Sequence, residues 1–133
     1  MTAPRAMHET VAAMIAAAQA AGEIAMKYYR GGFDVTIKAD QTPVTQADRE
    51  AEQAIKGVLR RALPDYGFLG EEFGEEGPKD RRFIIDPIDG TKNFIRRIPI
   101  WATLIGLEEA GEVTAGVVFN PLSNEMFWAR RGD

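Results

Sequence analysis

Apolar residues recur at helical spacing near the start of the chain. Met7, Val11, Met14, Ile15, Ala18, Ala21, Ala25 and Met26 fall on one face and predict a long helix from about Ala3 to Tyr29, stopped by Gly31-Gly32. A short extended piece around Val35 to Lys38 and a polar turn follow. Thr45-Gln-Ala-Asp48 then opens a second helix to about Leu63, with Ile55, Val58 and Leu59 on one face and Pro64-Asp65 closing it. Beyond it the period changes. Gly67 to Gly70 reads as a short strand, Gly74 to Asp80 as a flexible charged loop, and Arg82 to Asp86 as a buried strand, because its apolar run ends in an acid. A turn after Asp86 leads to one helical turn near Thr91 to Ile95. Three more strands, Ala102 to Leu107, Val113 to Phe119 and Glu125 to Ala129, are separated by Ala110-Gly111 and Asn120-Pro121, as in an antiparallel meander. Two helices followed by a mixed or antiparallel sheet predict an α+β layered fold.

Composition narrows the chemistry. The 133 residues, 45% hydrophobic, suffice for one packed domain. A net charge of −4 from 20 acidic and 16 basic residues, intermixed along the chain, provides no basic stripe for a nucleic-acid backbone. With no cysteine there is no disulfide or thiolate chemistry, which fits a cytoplasmic setting. The alanine-rich stretch from Met14 to Met26 contains Gln19 and Glu23 and is too short for a membrane span, so it reads as a helix and not as a signal or anchor. The one histidine, His8, lies near the frayed start of the first helix, where a solvated role is expected. Catalysis is therefore left to carboxylates, hydroxyls and backbone amides, and the oxygen donors among these suit hard cations such as magnesium.

The most informative string is Asp86-Pro87-Ile88-Asp89-Gly90-Thr91-Lys92-Asn93-Phe94. A buried strand delivers two acids into a glycine-containing turn that opens a helix. Asp86 is held at a strand end, Pro87 stiffens the exit, and the spacing lets both carboxylates converge on a cation. Gly90 allows close backbone approach, and the amides of Gly90 and Thr91 can receive a phosphate oxygen. Read singly, Asp86 and Asp89 also fit plain turn and helix-cap roles. Likewise Leu69-Gly70-Glu71-Glu72 fits a solvated acidic loop, and Thr45-Gln-Ala-Asp48 fits simple helix capping.

Together, and in this order, the three elements resemble the signature of the inositol monophosphatase family, with Trp101-Ala-Thr-Leu-Ile-Gly106 following them. Its members are magnesium-dependent phosphatases acting on histidinol phosphate, inositol phosphate or fructose bisphosphate. The resemblance covers most of the chain after the first helix. It implies that Glu71, Asp86, Asp89 and the carbonyl of Ile88 ligate magnesium, two or more ions in all, and that Gly90 and Thr91 hold the phosphate. It further implies that Asp48 and Thr91, with Glu71, orient a magnesium-activated water for in-line attack without a covalent intermediate. Lys38 loosely resembles the family's mobile-loop lysine. Lys92 and Arg96-Arg97 either add positive potential for an anionic substrate or form a solvated helix face.

Family members continue for a comparable length and carry a Trp-Asp motif that completes one metal site. Here neither Trp101 nor Trp128 is followed by aspartate, and the sequence ends soon after a strand, at Arg130-Arg131-Gly132-Asp133. The expectation is thus the N-terminal part of a phosphatase whose full-length form is a homodimer. The alternative is a catalytically incomplete metal- or phosphate-binding fragment, or an interaction module. Gly-Glu-Glu-Phe-Gly at 70–74 and Ile-Pro-Ile-Trp-Ala-Thr-Leu-Ile at 98–105 look more like the bacterial histidinol-phosphatase branch, which favours histidinol phosphate over inositol 1-phosphate.

Overall fold

A computed structural model describes residues 3–31, 35–37 and 43–132, with side-chain environments for 9–31 and 46–132. In chain order the elements are α1 (Ala3–Gly31), β1 (Val35–Ile37), β2 (Pro43–Thr45), α2 (Gln46–Ala62), β3 (Gly67–Gly70), β4 (Gly74–Glu76), β5 (Arg81–Asp89), α3 (Thr91–Ile95), β6 (Ala102–Glu109), β7 (Glu112–Asn120) and β8 (Glu125–Arg130). Among the described residues, β1 and β2 form an antiparallel pair, and the other strands form one sheet in the order β4-β3-β5-β6-β7-β8. The sheet is mixed: β3 runs parallel to β5, and every other pairing is antiparallel.

Both long helices lie on one face of this sheet. α1 buries Ala13, Met14, Ala17, Ala18, Ala21 and Ala25, and its small side chains bring the helix backbone close to its neighbours. At Gly22 an added Cβ would lie 2.5 Å from the Phe119 ring, so glycine is what lets α1 settle on β7. α2 contributes Ala51, Ile55 and Leu59, and the sheet contributes Phe68, Phe83, Ile85, Ile105, Leu107, Val117 and Phe119. Each fully buried side chain of the Ile or Phe class contributes about 1.5–3 kcal/mol. A second cluster joins the end of α1 to the region after β5. There Phe94 meets Trp101 edge-on at 4.9 Å, and Tyr29 lies 5.6 Å from both rings.

The sequence-based expectations hold for both helices, α3 and the β6–β8 meander. The β6–β7 turn places Ala110 at φ 52° and Gly111 at φ 80°, the two-residue geometry that matches strand twist. Asn120 closes the next turn, its Oδ1 accepting the Leu122 amide at 3.0 Å. Two expectations are corrected. Gly74 to Asp80 is not wholly loop, because Gly74–Glu76 pairs with β3 as an edge strand. The strand at Asp86 does not give way to a turn but continues through Asp89. Its partner accommodates the proline: the buried Thr103 hydroxyl donates to the Pro87 carbonyl at 2.8 Å. Lys38 lies outside the described residues, as do the side chains of His8 and Thr45.

Candidate active site

The continuation of β5 decides where its acids go. Residues three apart on a regular strand point to opposite faces. Here the pairing with β6 slips by one residue, from Asp86 opposite Leu104 to Asp89 opposite Ala102, and this bulge removes the parity difference. Pro87, which has no N–H to give to the ladder, sits inside the slip.

Parallel pairing of β3 with β5 brings a third acid alongside. Gly70 lies opposite Ile85, and the next amide, that of Glu71, donates to the Ile85 carbonyl at 3.3 Å. Glu71 and Asp86 therefore stand side by side where the parallel pairing of β3 with β5 ends, β5 itself running on to Asp89. The fourth acid comes from α2. Asp48, in its first turn, is only 4% exposed, and the Thr91 hydroxyl donates toward its Oδ1 at 3.2 Å while lying 3.1 Å from the Ile88 carbonyl. Asp48 and Thr91, 43 residues apart in sequence, are thus brought together.

Gly90 links β5 to α3 at φ 89°, and a Cβ there would come within 3.0 Å of the Ile100 carbonyl oxygen, so both backbone angle and space demand glycine. The Asn93 side chain donates to the same carbonyl at 2.9 Å, and the aromatic cluster around Phe94 holds α3 from beneath. The first-turn amides of so short a helix remain available to an anion. Lys92, Arg96 and Arg97 are all exposed, and the Arg97 guanidinium also lies over the Tyr29 ring of α1 at 5.4 Å.

The electrostatics follow from this convergence. The Asp86 carboxyl is pushed up from 3.8 to about 7, first by burial, then by the charges of Glu71 and Asp89, by a hydrogen bond with Asp89 and by the charge of Asp48. Yet among the described residues no three Asp, Glu or His side chains are gathered closely enough to hold a metal ion. The two observations agree physically. Carboxylates that feel one another's charge repel, which disfavours their close approach and favours a shared proton. As a donor set they consist only of oxygen, with the Ile88 carbonyl and the Thr91 hydroxyl beside them, which is the chemistry a hard divalent ion accepts. The residues fit magnesium in kind, and binding would have to draw them together.

Sequence reasoning missed the residues beneath Glu71. Glu52 and Lys56 on α2 are fully buried, at 0% and 1% exposure, and pair at 3.2 Å. Glu52 also accepts the amides of Glu72 at 2.9 Å and Phe73 at 3.0 Å, while Lys56 reaches Glu76 of β4 at 2.6 Å. The signal was present: Asp48, Glu52 and Lys56 follow one another at four-residue spacing, alongside the apolar positions Ala51, Ile55 and Leu59.

Comparison with known proteins bears on this geometry directly. Residues 6–133 match the model of the inositol monophosphatase family. The chain belongs to that family. A histidinol-phosphatase of Mycobacterium tuberculosis is 44% identical over 128 residues, 94% of this chain and 49% of that protein. An inositol-1-monophosphatase of Rhizobium meliloti is 47% identical over 102 residues, 75% of this chain and 38% of that protein. Among solved structures, the extragenic suppressor protein suhB of Bartonella henselae superposes with a TM-score of 0.88 at 42% identity, over 92% of this chain and 49% of that one. The chain thus spans 38–49% of the length of these proteins, and its layering of two helices on a six-stranded mixed sheet matches the solved structures of the family.

Proposed function

We propose that this chain carries the cation and phosphate sites of a magnesium-dependent phosphomonoesterase acting on a small phosphorylated alcohol in the cytoplasm. The observation that carries the reading is the convergence on Asp86 of Glu71, Asp89 and Asp48, whose charges help to raise its carboxyl to about 7. Carboxylates arranged at such expense to one another are expected where a cation is to be bound. Glu71, Asp86, Asp89 and the Ile88 carbonyl would hold magnesium, two or more ions in all. When bound, magnesium supplies Lewis acidity toward the phosphoryl oxygens and lowers the pKa of water. The chain's own residues then divide the work. Amides of Gly90 and Thr91 orient the phosphate, and Asp48 with the Thr91 hydroxyl positions the attacking water and takes up its proton. Glu71 helps to align that water.

The substrate reading rests on the relatives named above, which include a histidinol-phosphatase and an inositol-1-monophosphatase. Histidinol phosphate is favoured over inositol 1-phosphate, with the full-length form a homodimer. Phosphate release from these two compounds and fructose 1,6-bisphosphate, with magnesium and with chelator, tests it. Turnover that chelator stops is expected; release indifferent to chelator would sink the reading. A second reading is a module that binds cation and phosphate without turnover. Mn2+ binding without phosphate release from any of the three compounds would favour it.

A further inference from the structure

Glu71 is pinned from two sides. Its own amide is fixed by the Ile85 carbonyl of β5, one residue before Asp86. The two amides that follow it, of Glu72 and Phe73, point at one buried carboxylate: Oε1 of Glu52 accepts the first at 2.9 Å and Oε2 the second at 3.0 Å. Glu52 belongs to α2, one helical turn after Asp48, and is wholly buried. Lys56, the next turn on, approaches the same Oε2 at 3.2 Å. Two amides and an ammonium thus occupy the carboxylate, which faces the backbone of the 71–73 turn.

The turn is shaped to receive it. At Gly70 an added Cβ would lie 2.2 Å from Glu52 Oε2 and 2.6 Å from Oε1, so the missing side chain is the space the carboxylate uses. Gly70 has no positive φ requirement of its own, which leaves this close approach as the structural reason for glycine there. Phe73, 42% exposed, lies over Lys56 at 5.0 Å and closes the outer side.

From this we infer that Glu52 is a positioning residue: through the amides of Glu72 and Phe73 it sets where Glu71 stands relative to Asp86, and so tunes cation binding without touching the cation. The inference rests on the proposed cation site, but its structural half is independent of it. Charged hydrogen bonds to consecutive backbone N–H groups are strong and directional, and removing a group that orients a ligand typically lowers metal affinity by about 10–100-fold.

The experiment compares the chain with Glu52→Gln and with Glu76→Gln. The second substitution disturbs the same lysine but leaves the two amides bonded to Glu52. Amide hydrogen exchange at Glu72 and Phe73 is read without metal, and Mn2+ affinity is read separately by paramagnetic resonance. Glu52→Gln, whose single carbonyl oxygen can accept only one of the two amides while its NH2 faces the other, is expected to lose protection at one amide at least and to weaken Mn2+ binding about tenfold, with circular dichroism unchanged. Glu76→Gln is expected to keep both properties within about twofold of the parent, since its carboxylate meets neither amide. Unchanged protection in Glu52→Gln, or an equal loss of Mn2+ affinity in Glu76→Gln, would overturn the inference. If the parent chain binds no Mn2+, the proposed function fails, and amide protection alone decides whether Glu52 orders the turn. Gly70→Ala, which displaces the carboxylate while leaving every charge in place, serves as the second variant should Glu52→Gln unfold; lost protection supports the inference and retained protection overturns it.

Discussion

Two carboxylate clusters flank the turn at 70–73, and they are built on opposite terms. On the α2 side, Glu52 and Glu76 face Lys56 and Arg60, so that each acid has a cation in reach. Glu76 is held below its ordinary pKa of 4.5, mainly by the hydrogen bond from Lys56, with the charges of Lys56 and Arg60 adding to it and burial opposing. On the β5 side, Asp86 is pushed up to about 7 by burial and by other acids. One cluster is compensated by the protein's own cationic side chains; in the other, the groups that shift Asp86 are burial and further acids. Under the proposed function, this difference separates acids that hold the fold from acids that bind the cation, which burial does not, since Glu52 and Asp48 are both buried.

Removing an acid from each cluster should therefore act in opposite directions on stability. Asp89→Asn is expected to lower magnesium-dependent phosphate release on the order of a thousandfold or more, while the cation-free chain keeps or gains thermal stability because Asp86 loses a repelling neighbour. Steady-state kinetics paired with calorimetry reads both, and a large loss of stability would break the distinction. Glu52→Ala, on the compensated side, is expected to destabilise by about 3 kcal/mol, because it leaves a buried lysine with one partner fewer and two amides unbonded. Urea unfolding measures it; a loss below about 1 kcal/mol would mean that water replaces the carboxylate.

Protons sharpen the same contrast. Asp86 has a folded pKa raised above its unfolded value, so the cation-free fold binds the extra proton. Its contribution to stability is greatest below about 4 and declines as pH rises toward about 7. Glu76 has the reverse sign: its contribution is present above about 4.5 and is lost as pH falls through its depressed value. Because a cation must displace the Asp86 proton, magnesium affinity is expected to fall about tenfold per pH unit below about 7. Calorimetric titration at pH 6, 7 and 8 would decide it. A flat profile would mean that Asp86 ionises freely and that the acids are not competing.

Much of this is legible in the sequence, for reasons of period and order. The heptad-like apolar face of α1, the alternation in β6 and β7, and the turn residues at Ala110-Gly111 are local signals, and local physics decided them. The site string from Asp86 to Phe94 could be found because strand, glycine and short helix are contiguous. What was not legible depended on partners distant in sequence. β4 is too short and charged to announce itself as a strand and exists because β3 offers it an edge. The strand continues past Pro87 where the ladder slips, and the Thr103 hydroxyl of β6 donates to the Pro87 carbonyl there. Glu52 and Lys56 went unremarked, since burial of such charges is decided by what the turn after β3 brings to them.

The smallest effect is expected at the rim of the compensated cluster. Arg60 reaches the Glu76 carboxylate from the solvent side, with half of its side chain exposed, and also lies over the Phe68 ring at 5.2 Å. Exposed ion pairs contribute about 0.2–1 kcal/mol because water screens them and two long side chains lose freedom to form them. Arg60→Ala is therefore expected to lower unfolding stability by about 1 kcal/mol or less, with loss of packing over Phe68 included, and to leave cation affinity unchanged. If Arg60→Ala instead weakened Mn2+ binding as Glu52→Gln is expected to, the two clusters would be one coupled unit, and the division between acids that hold the fold and acids that await a cation would fall at a different residue.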